Sequence, residues 1–289
     1  MNAAFLATNI MALAMMLNAC TPSATTPPAA KPTPTIILAA ESPAPVPTET
    51  VIQETETPIA VKPLEGPKHP LKARTFSARG IELSIVSFDR RHHDLIVDDQ
   101  PGGPGSEYDR AEDAGRGHLA AINAGFFTPE GSPLGLVVTK GRRRGGINRA
   151  SFLGTGFFLG PKAQLMSRTD FLKLNPKNSE VLQSGPRLLW SGETLTGLSD
   201  RDERPRSFLL WDGQNHFALG YADSASLKGL SKALKSQPLS GFQIAYALNL
   251  DGGRSSDLCV SGSVSGGGFS RSSFFNKDVR NFLVLKRRD

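Results

Sequence analysis

Eleven of the chain's 21 prolines crowd between residues 21 and 68, interleaved with threonines and without aromatic side chains. A stretch of that make-up buries too little apolar surface to offset the entropy of ordering it, so it is expected to stay disordered. Proline favours extended polyproline geometry, which makes the stretch a semi-stiff spacer. The globular part must then come from residues 69–289, which are enough for one substantial core. Charge divides at the same place. Residues 21–68 hold three lysines and five glutamates, whereas 69–289 hold 30 of the 33 basic and 22 of the 27 acidic residues, a net of +8. That split excludes a uniformly basic coat protein for nucleic acid, and no nucleic-acid partner is expected. No stretch approaches the roughly 18–20 apolar residues of a spanning helix, which excludes a multi-pass membrane protein. Two cysteines build neither a disulfide framework nor a four-cysteine zinc site.

Residues 1–20 carry no charged side chain and end in the short apolar run Met11–Cys20. That length and character fit a signal-peptide core. Leu17–Cys20 resembles a bacterial lipobox, in which the cysteine is lipidated and becomes the new N-terminus. Asn18 is unusual there, and no Lys or Arg precedes the run. The expected arrangement is an export signal over 1–20, a lipid anchor on Cys20, a Pro/Thr-rich linker over 21–68 and a folded domain over 69–289. It places the protein in a bacterial cell envelope, held to a membrane or released as a periplasmic or secreted form. Cys259 is then the remaining thiol, which reads as a small packed side chain.

Within 69–289, Ile81, Leu83 and Ile85 alternate with more polar neighbours, the pattern of a half-buried strand. Apolar runs with strand-type residues follow at 94–97, 119–123, 134–138, 155–159, 187–190, 207–211, 216–221, 245–250 and 281–285. Glycines punctuate most of the gaps. One helix is clear: Ser224 is placed to cap a segment whose Leu227, Leu230, Ala233 and Leu234 share a face. A shorter one is expected over 109–115. The expectation is a strand-rich α+β single domain with mixed or antiparallel sheets and few helices.

Four clusters stand at strand ends. In Ala247–Ser256 a buried strand runs into Gly252 and Gly253, with Asn249 and Asp251 pointing to one side and Leu248 and Leu250 to the other. A polar pair beside a glycine turn suits close approach by a ligand. It is equally the signature of an Asp-Gly hairpin turn, and at this level neither reading wins. In Ala121–Phe127, Asn123 ends a strand just before Gly125, where a side-chain amide also serves to satisfy a loop backbone. Gln183–Leu189 and Arg204–Ser207 each set an arginine, Arg187 and Arg206, beside a strand. One such arginine is usually a solvated edge charge, whereas two can grip a phosphate.

In this order the clusters resemble the phosphodiester glycosidase family. Its pattern, Asn-[Ala/Gly]-Gly-[Phe/Tyr/Met]-Phe, Pro-x-Gly-Leu, Gly-Pro-x-Leu, Arg-[Thr/Ser] and Asn-Leu-Asp-Gly-Gly-x-Ser, is met at Asn123–Phe127, Pro133–Leu136, Gly185–Leu188, Arg206–Ser207 and Asn249–Ser255. Each motif alone is weak; five in sequence over roughly residues 80–286 are specific. Arg254 replaces a glycine common in the last motif, and Arg206 leads into Ser-Phe-Leu-Leu instead of a glycine-ended strand.

The resemblance implies hydrolysis of a sugar-1-phosphodiester between the anomeric carbon and its oxygen, in an envelope or extracellular glycan. That reaction passes through an oxocarbenium-like state. Phosphate is a better leaving group than an alcohol, so stabilising its departing charge matters more than protonating it. The resemblance assigns Arg187 and Arg206 to that charge and Asp251 to the catalytic carboxylate, as base or electrostatic stabiliser. Asn123 and Asn249 would orient sugar hydroxyls beside Gly125, with Gly252, Gly253, Ser255 and Ser256 meeting the phosphate. Arg254 would either add a phosphate contact or fill the pocket. In the latter case the chain is a non-catalytic glycan-binding or polysaccharide-assembly factor on the same fold. A second carboxylate comes from among Asp202, Glu203, Asp212 and Asp257. The reaction requires no cofactor, although Asp251 and Asn249 are hard oxygen donors of the kind calcium and magnesium prefer. The histidines His69, His92, His93, His118 and His216 show no metal-type spacing. Ser255 lacks the Gly-x-Ser-x-Gly setting of a serine hydrolase, and no Walker loop occurs. The basic run Lys140–Arg144 reads as a solvated hairpin tip or as a contact for an anionic polymer.

Overall fold

A computed structural model describes residues 71–236 and 243–288. The expected signal, Cys20 and the Pro/Thr-rich linker lie outside the described residues. The chain begins with β1 (Lys72–Ala78), β2 (Ile81–Asp89), β3 (His93–Asp99), the short helix α1 (Ala111–Ala114) and β4 (Ala120–Asn123). It continues through β5 (Val137–Thr139), β6 (Arg142–Arg144), β7 (Gly156–Gly160), β8 (Gln164–Ser167), α2 (Arg168–Leu174) and β9 (Glu180–Ser184). Next come β10 (Arg187–Trp190), β11 (Glu193–Thr194), β12 (Arg204–Trp211), β13 (His216–Ala225) and α3 (Leu227–Ser236). The last strands are β14 (Tyr246–Asn249), β15 (Asp257–Val260), β16 (Phe269–Ser272) and β17 (Asn281–Arg287). No helix among the described residues is long and apolar enough to cross a membrane.

The strands form three sheets, in the orders β1-β2-β13-β12-β14-β10-β11, β16-β15-β4-β17-β3 and β6-β5-β9-β7-β8. Neighbouring strands run antiparallel throughout, as in β12–β14, β15–β4 and β7–β9. All three sheets turn one face to a common core, where Phe88, Leu209 and Phe217 of the first meet Ile122, Leu258 and Leu283 of the second and Val137, Phe158 and Leu182 of the third. The back faces are covered too. Helix α3 lays Leu230, Ala233 and Leu234 on Leu83, Phe208 and Ala247. Helix α1 packs Ala111 and Ala114 against Ala121 and Phe282. Helix α2 places Phe171 on Phe157, Leu159 and Val181. Burial on both faces is why Phe208–Leu210 and Phe282–Leu285 read as unbroken apolar runs. Each such Leu or Phe contributes about 1.5–3 kcal/mol of transfer free energy.

The strand-rich α+β fold agrees with expectation, but β1, β6, β8, β11, β15, β16 and α2 were not among the expected elements, and other local differences bear on the site. Ser224 lies in β13, and the cap of α3 is Ser226, whose hydroxyl accepts from the Gly229 amide at 2.9 Å. Residues 134–136 are not strand: the Leu136 amide donates to the Gln183 side chain (3.1 Å) and its carbonyl accepts from the Gln183 amide (2.8 Å). Strand β9, whose Glu180, Gln183 and Ser184 are polar and buried, is likewise absent from the expected strands. Glu180 accounts for its own burial by accepting from the Val97 and Lys140 amides, each at 2.9 Å. The basic run Lys140–Arg144 forms the turn between β5 and β6 and the exposed edge strand β6.

Candidate active site

Strand β14 ends between β10 and β12, and its last residues bind backbone on both sides. The Asn249 amide donates to the Pro186 carbonyl at 3.0 Å, and the Leu250 amide to the Ser207 carbonyl at 2.9 Å. One residue on, the Asp251 amide donates to the Ala124 carbonyl of the second sheet at 2.8 Å. Gly253 then takes φ +65°, a conformation that disfavours side chains, and opens the short turn Gly253–Ser255. The Asp251–Ser256 segment is therefore wedged between two sheets.

Asn123, fully buried at the end of β4, is the knot of this junction. Its Nδ2 donates to the Asp251 carbonyl at 2.7 Å, and its Oδ1 accepts from the Ser207 hydroxyl at 2.5 Å and the Asp257 amide at 2.9 Å. With both amide ends engaged, Asn123 positions the Asp251 turn. Gly125 donates its amide to Asn281 Oδ1 at 2.7 Å, and a Cβ there would stand 3.0 Å from Leu182. Asn249 donates through Nδ2 to the carbonyls of Gly185 (3.0 Å) and Leu250 (2.6 Å), and its own carbonyl accepts from Ser184 (3.0 Å). Gly185 is required by close approach: a Cβ would lie 2.9 Å from both the Phe152 carbonyl and the Thr155 hydroxyl.

Burial pushes the Asp251 carboxyl pKa up, and the Ser255 hydroxyl, the Lys277 charge and the Gly252 amide oppose the shift. Ser255 lies close enough for that influence yet outside hydrogen-bonding geometry, since its Oγ is buried without a partner. Ser256 Oγ, Asn249 Oδ1, Asn281 Nδ2 and Arg187 Nε are buried and unpartnered as well. Buried polar atoms are almost always hydrogen-bonded, so a group of exceptions needs an explanation. Four of these five atoms belong to motif residues or to Ser256 beside them, and Asn281 holds Gly125.

The expected arginine pair is not brought together. Arg187 stands opposite Leu248 on β14, whereas Arg206 shares the face of Phe208, which stands opposite Asn249. Alternation along the strands therefore puts the two on opposite faces of the first sheet. Arg187 lies over the Trp190 ring at 4.7 Å. Arg206 donates Nε to the Ala225 carbonyl (2.9 Å) and Nη2 to the Asp202 carbonyl (2.8 Å). A Cβ on Gly252 would sit 3.5 Å from Arg206 Nη1, so this guanidinium backs the turn. Burial lowers its pKa to about 10, which leaves it charged at neutral pH. The cation acting on Asp251 is Lys277, which also lies over the Phe127 ring at 4.5 Å. It sits in the loop between β16 and β17, outside every motif, so nothing in the sequence marks it. Arg254 is exposed and donates Nε to the Phe275 carbonyl at 2.8 Å.

Of the four carboxylates considered as a second acid or base, Asp212 pairs with His216 at 2.7 Å just past the far end of β12. Asp202 pairs with Arg204 at 3.4 Å, and Glu203 is exposed. Asp257 is buried, follows the turn and has its pKa raised by desolvation; its Oδ2 accepts from the Ala111 amide (2.9 Å) and from Asn276 (3.2 Å). Asn249 Oδ1 and the Asp251 carboxyl are oxygen donors at one strand end. Among the described residues, no three or more His, Cys, Asp and Glu side chains come together.

The structure thus sets a strand-end carboxylate beside buried, unpartnered polar atoms on a three-sheet fold. The chain belongs to the phosphodiester glycosidase family, whose sequence profile matches residues 116–286. Its fold is similar to the catalytic domain of zebrafish N-acetylglucosamine-1-phosphodiester α-N-acetylglucosaminidase, solved in a form auto-inhibited by its pro-peptide. The two are 17% identical over 75% of this chain and 82% of that one, with a TM-score of 0.53. It is also similar to a hypothetical protein from Synechocystis, at 16% identity over 75% and 61% of the two chains, with a TM-score of 0.52. No curated protein sequence is significantly similar to it.

Proposed function

We propose that the chain hydrolyses the glycosidic C–O bond of a sugar-1-phosphodiester in an envelope or extracellular glycan. The observation that carries this reading is the cluster of buried, unpartnered polar atoms around Asp251, at Asn249, Ser255 and Ser256. A polar substrate would satisfy them, and they stand in the segment that aligns with the family's last motif. In the proposed reaction, Asp251 takes a proton from water as the water oxygen bonds to the anomeric carbon. The bond from that carbon to the phosphate oxygen breaks, and its electron pair leaves with the phosphate monoester. Lys277 stabilises that charge, a preorganised electrostatic contribution. Asn249 Oδ1 accepts from a sugar hydroxyl, while Ser255 and Ser256 donate to substrate oxygens. Asn123 and Arg206 hold the turn in place. No cofactor enters this chemistry.

Arg254 was the residue that favoured a non-catalytic glycan-binding factor. Its guanidinium is exposed and tied to Phe275, so it does not fill the site. Export through residues 1–20, anchoring through Cys20 and an envelope location belong to the same proposal. They rest on the apolar run, the terminal cysteine and the Pro/Thr-rich spacer.

The test is release of free sugar by the full chain from a panel of sugar-1-phosphodiesters, nucleotide sugars included, beside Asp251→Ala. The expected outcome is turnover by the wild type and a loss of about 10²–10⁴-fold in the variant. Equal turnover by both would sink the assignment of Asp251. No turnover on any member, with glycan binding retained, would support the binding-factor reading instead.

A further inference from the structure

The large hydrophobic side chains that remain exposed among the described residues are not scattered. There are six, Leu134, Phe152, Leu153, Leu174, Phe274 and Phe275, and two of them, Phe274 and Phe275, stand on the loop bound to the Asp251 turn. Hydrogen bonds and ring contacts connect the segments that carry Phe274, Phe275, Leu134, Phe152 and Leu153. Phe274 and Phe275 pack edge to face at 4.8 Å, and the Phe275 carbonyl accepts from Arg254 of the Asp251 turn. Two residues on, Lys277 lies over Phe127, which bridges to Pro133. The neighbouring Leu134 amide donates to the Phe126 carbonyl at 2.9 Å, and the Leu134 carbonyl accepts from Asn148 at 3.1 Å. Asn148 accepts from the Ser151 amide at 2.8 Å, at the start of the turn that presents Phe152 and Leu153.

The exposure is built. Phe274 is 92% and Phe275 69% exposed, on a loop tied down at several points. The Ser273 amide donates to the Ser256 carbonyl (3.1 Å), the Lys277 amide to the Arg254 carbonyl (3.0 Å), and Asn276 to Asp257. An exposed aromatic pair held in place in this way suits a binding surface. One cation, Lys277, acts on Asp251 beside this pair, and a second, Arg254, holds the Phe275 carbonyl. An anion with an apolar tail fits both features: the phosphate meets Lys277, and the tail crosses Phe275 and Phe274.

Building on the proposed hydrolysis, we infer that the leaving group is the phosphate of an amphipathic alcohol, an alkyl or prenyl phosphate, and that Phe274 and Phe275 form its tail subsite. The chain's departure from the family pattern at Arg254 is part of this subsite, because Arg254 holds the Phe275 carbonyl. The aromatic pair sets specificity for the aglycone and leaves the sugar to the buried polar cluster.

The test is calorimetric titration of the full chain with methyl phosphate and with octyl phosphate below its micelle concentration, for wild type and F274S/F275S. Burying part of an octyl chain should tighten binding to the wild type by roughly tenfold or more over methyl phosphate. In F274S/F275S octyl phosphate should fall to the methyl phosphate level, with an unchanged thermal midpoint because both side chains are exposed. Equal affinity of the wild type for the two phosphates would overturn the inference, as would an octyl preference that survives F274S/F275S. So would a variant that keeps the preference and loses only its binding to vesicles of 3:1 phosphatidylcholine and phosphatidylglycerol, since the pair would then be a membrane contact. The octyl preference without any sugar release would refute the hydrolysis and keep the subsite; sugar release without the preference would do the reverse.

Discussion

Asp251 and Asn249 leave β14 two residues apart, and that spacing is the part of the site most legible in the sequence. Alternation along a strand puts them on one side, and the two glycines that follow announce a turn. What the sequence leaves open is whether the turn is an ordinary hairpin. The structure answers through Asn123, whose amide ties the Asp251 carbonyl to a different sheet. Lys277 was illegible because its role depends on the loop after β16 folding back onto the Asp251 turn. Arg187 and Arg206 misled because proximity in motif order carries no information about sheet face. The account expects Lys277→Ala to lower kcat/KM on a phosphodiester by roughly 10–100-fold, the worth of a hydrogen bond to a charged group, and Arg187→Ala to cost less. Steady-state kinetics of the two variants check that order.

The raised pKa of Asp251 also has a consequence for stability. Its charged form is disfavoured in the folded chain relative to the unfolded one, so the folded state holds the proton to higher pH. Stability is therefore lost as pH rises from the ordinary carboxylate range through the folded pKa, and stays lost at neutral pH. Asp251→Asn should raise the thermal midpoint at pH 7 while abolishing turnover, with the gain shrinking as pH falls into the ordinary carboxylate range. A lower midpoint at pH 7 would contradict this assignment of the carboxyl's environment. Wild-type turnover, which requires the carboxylate, should begin to decline at a higher pH than an unperturbed aspartate would give.

Strands announce themselves in this chain when their apolar runs are clean, as in β10 and β12, and hide when buried polar residues interrupt them. Strand β9 is the clearest case. Glu180, Gln183 and Ser184 are buried because each carries a cross-link to another strand or loop, and such links depend on partners 29–83 residues away. The cap of α3 moved from Ser224 to Ser226 because β13 extends to Ala225, a length fixed by its pairing with β12. Pairing also explains Gly220. It stands opposite Phe208, whose ring lies over the glycine where a Cβ would be. Gly220→Ala should destabilise the chain by about 2 kcal/mol through overpacking, and a smaller residue at 208 should reduce that penalty. Urea denaturation of the single and double variants checks the coupling; additive losses would show that the ring is not the cause.

Across the whole domain, three sheets share one core, and each covers its outer face with a short helix. The strand-rich class was readable from alternation and glycine spacing. The grouping of strands into sheets was not, because β14, late in the chain, inserts between β12 and β10. That insertion creates the site. It carries Asp251 to the end of an interior strand of the first sheet, where Asn123 of β4 in the second can bind the turn. The central claim is that water attacks the sugar's anomeric carbon there, leaving the phosphate intact. Hydrolysis of a sugar-1-phosphodiester by the full chain in ¹⁸O-labelled water, followed by mass spectrometry of both products, tests this directly. The account predicts the label in the free sugar and none in the phosphate monoester. Label in the phosphate would mean that the P–O bond breaks, and the glycosidase mechanism built on Asp251 would be wrong.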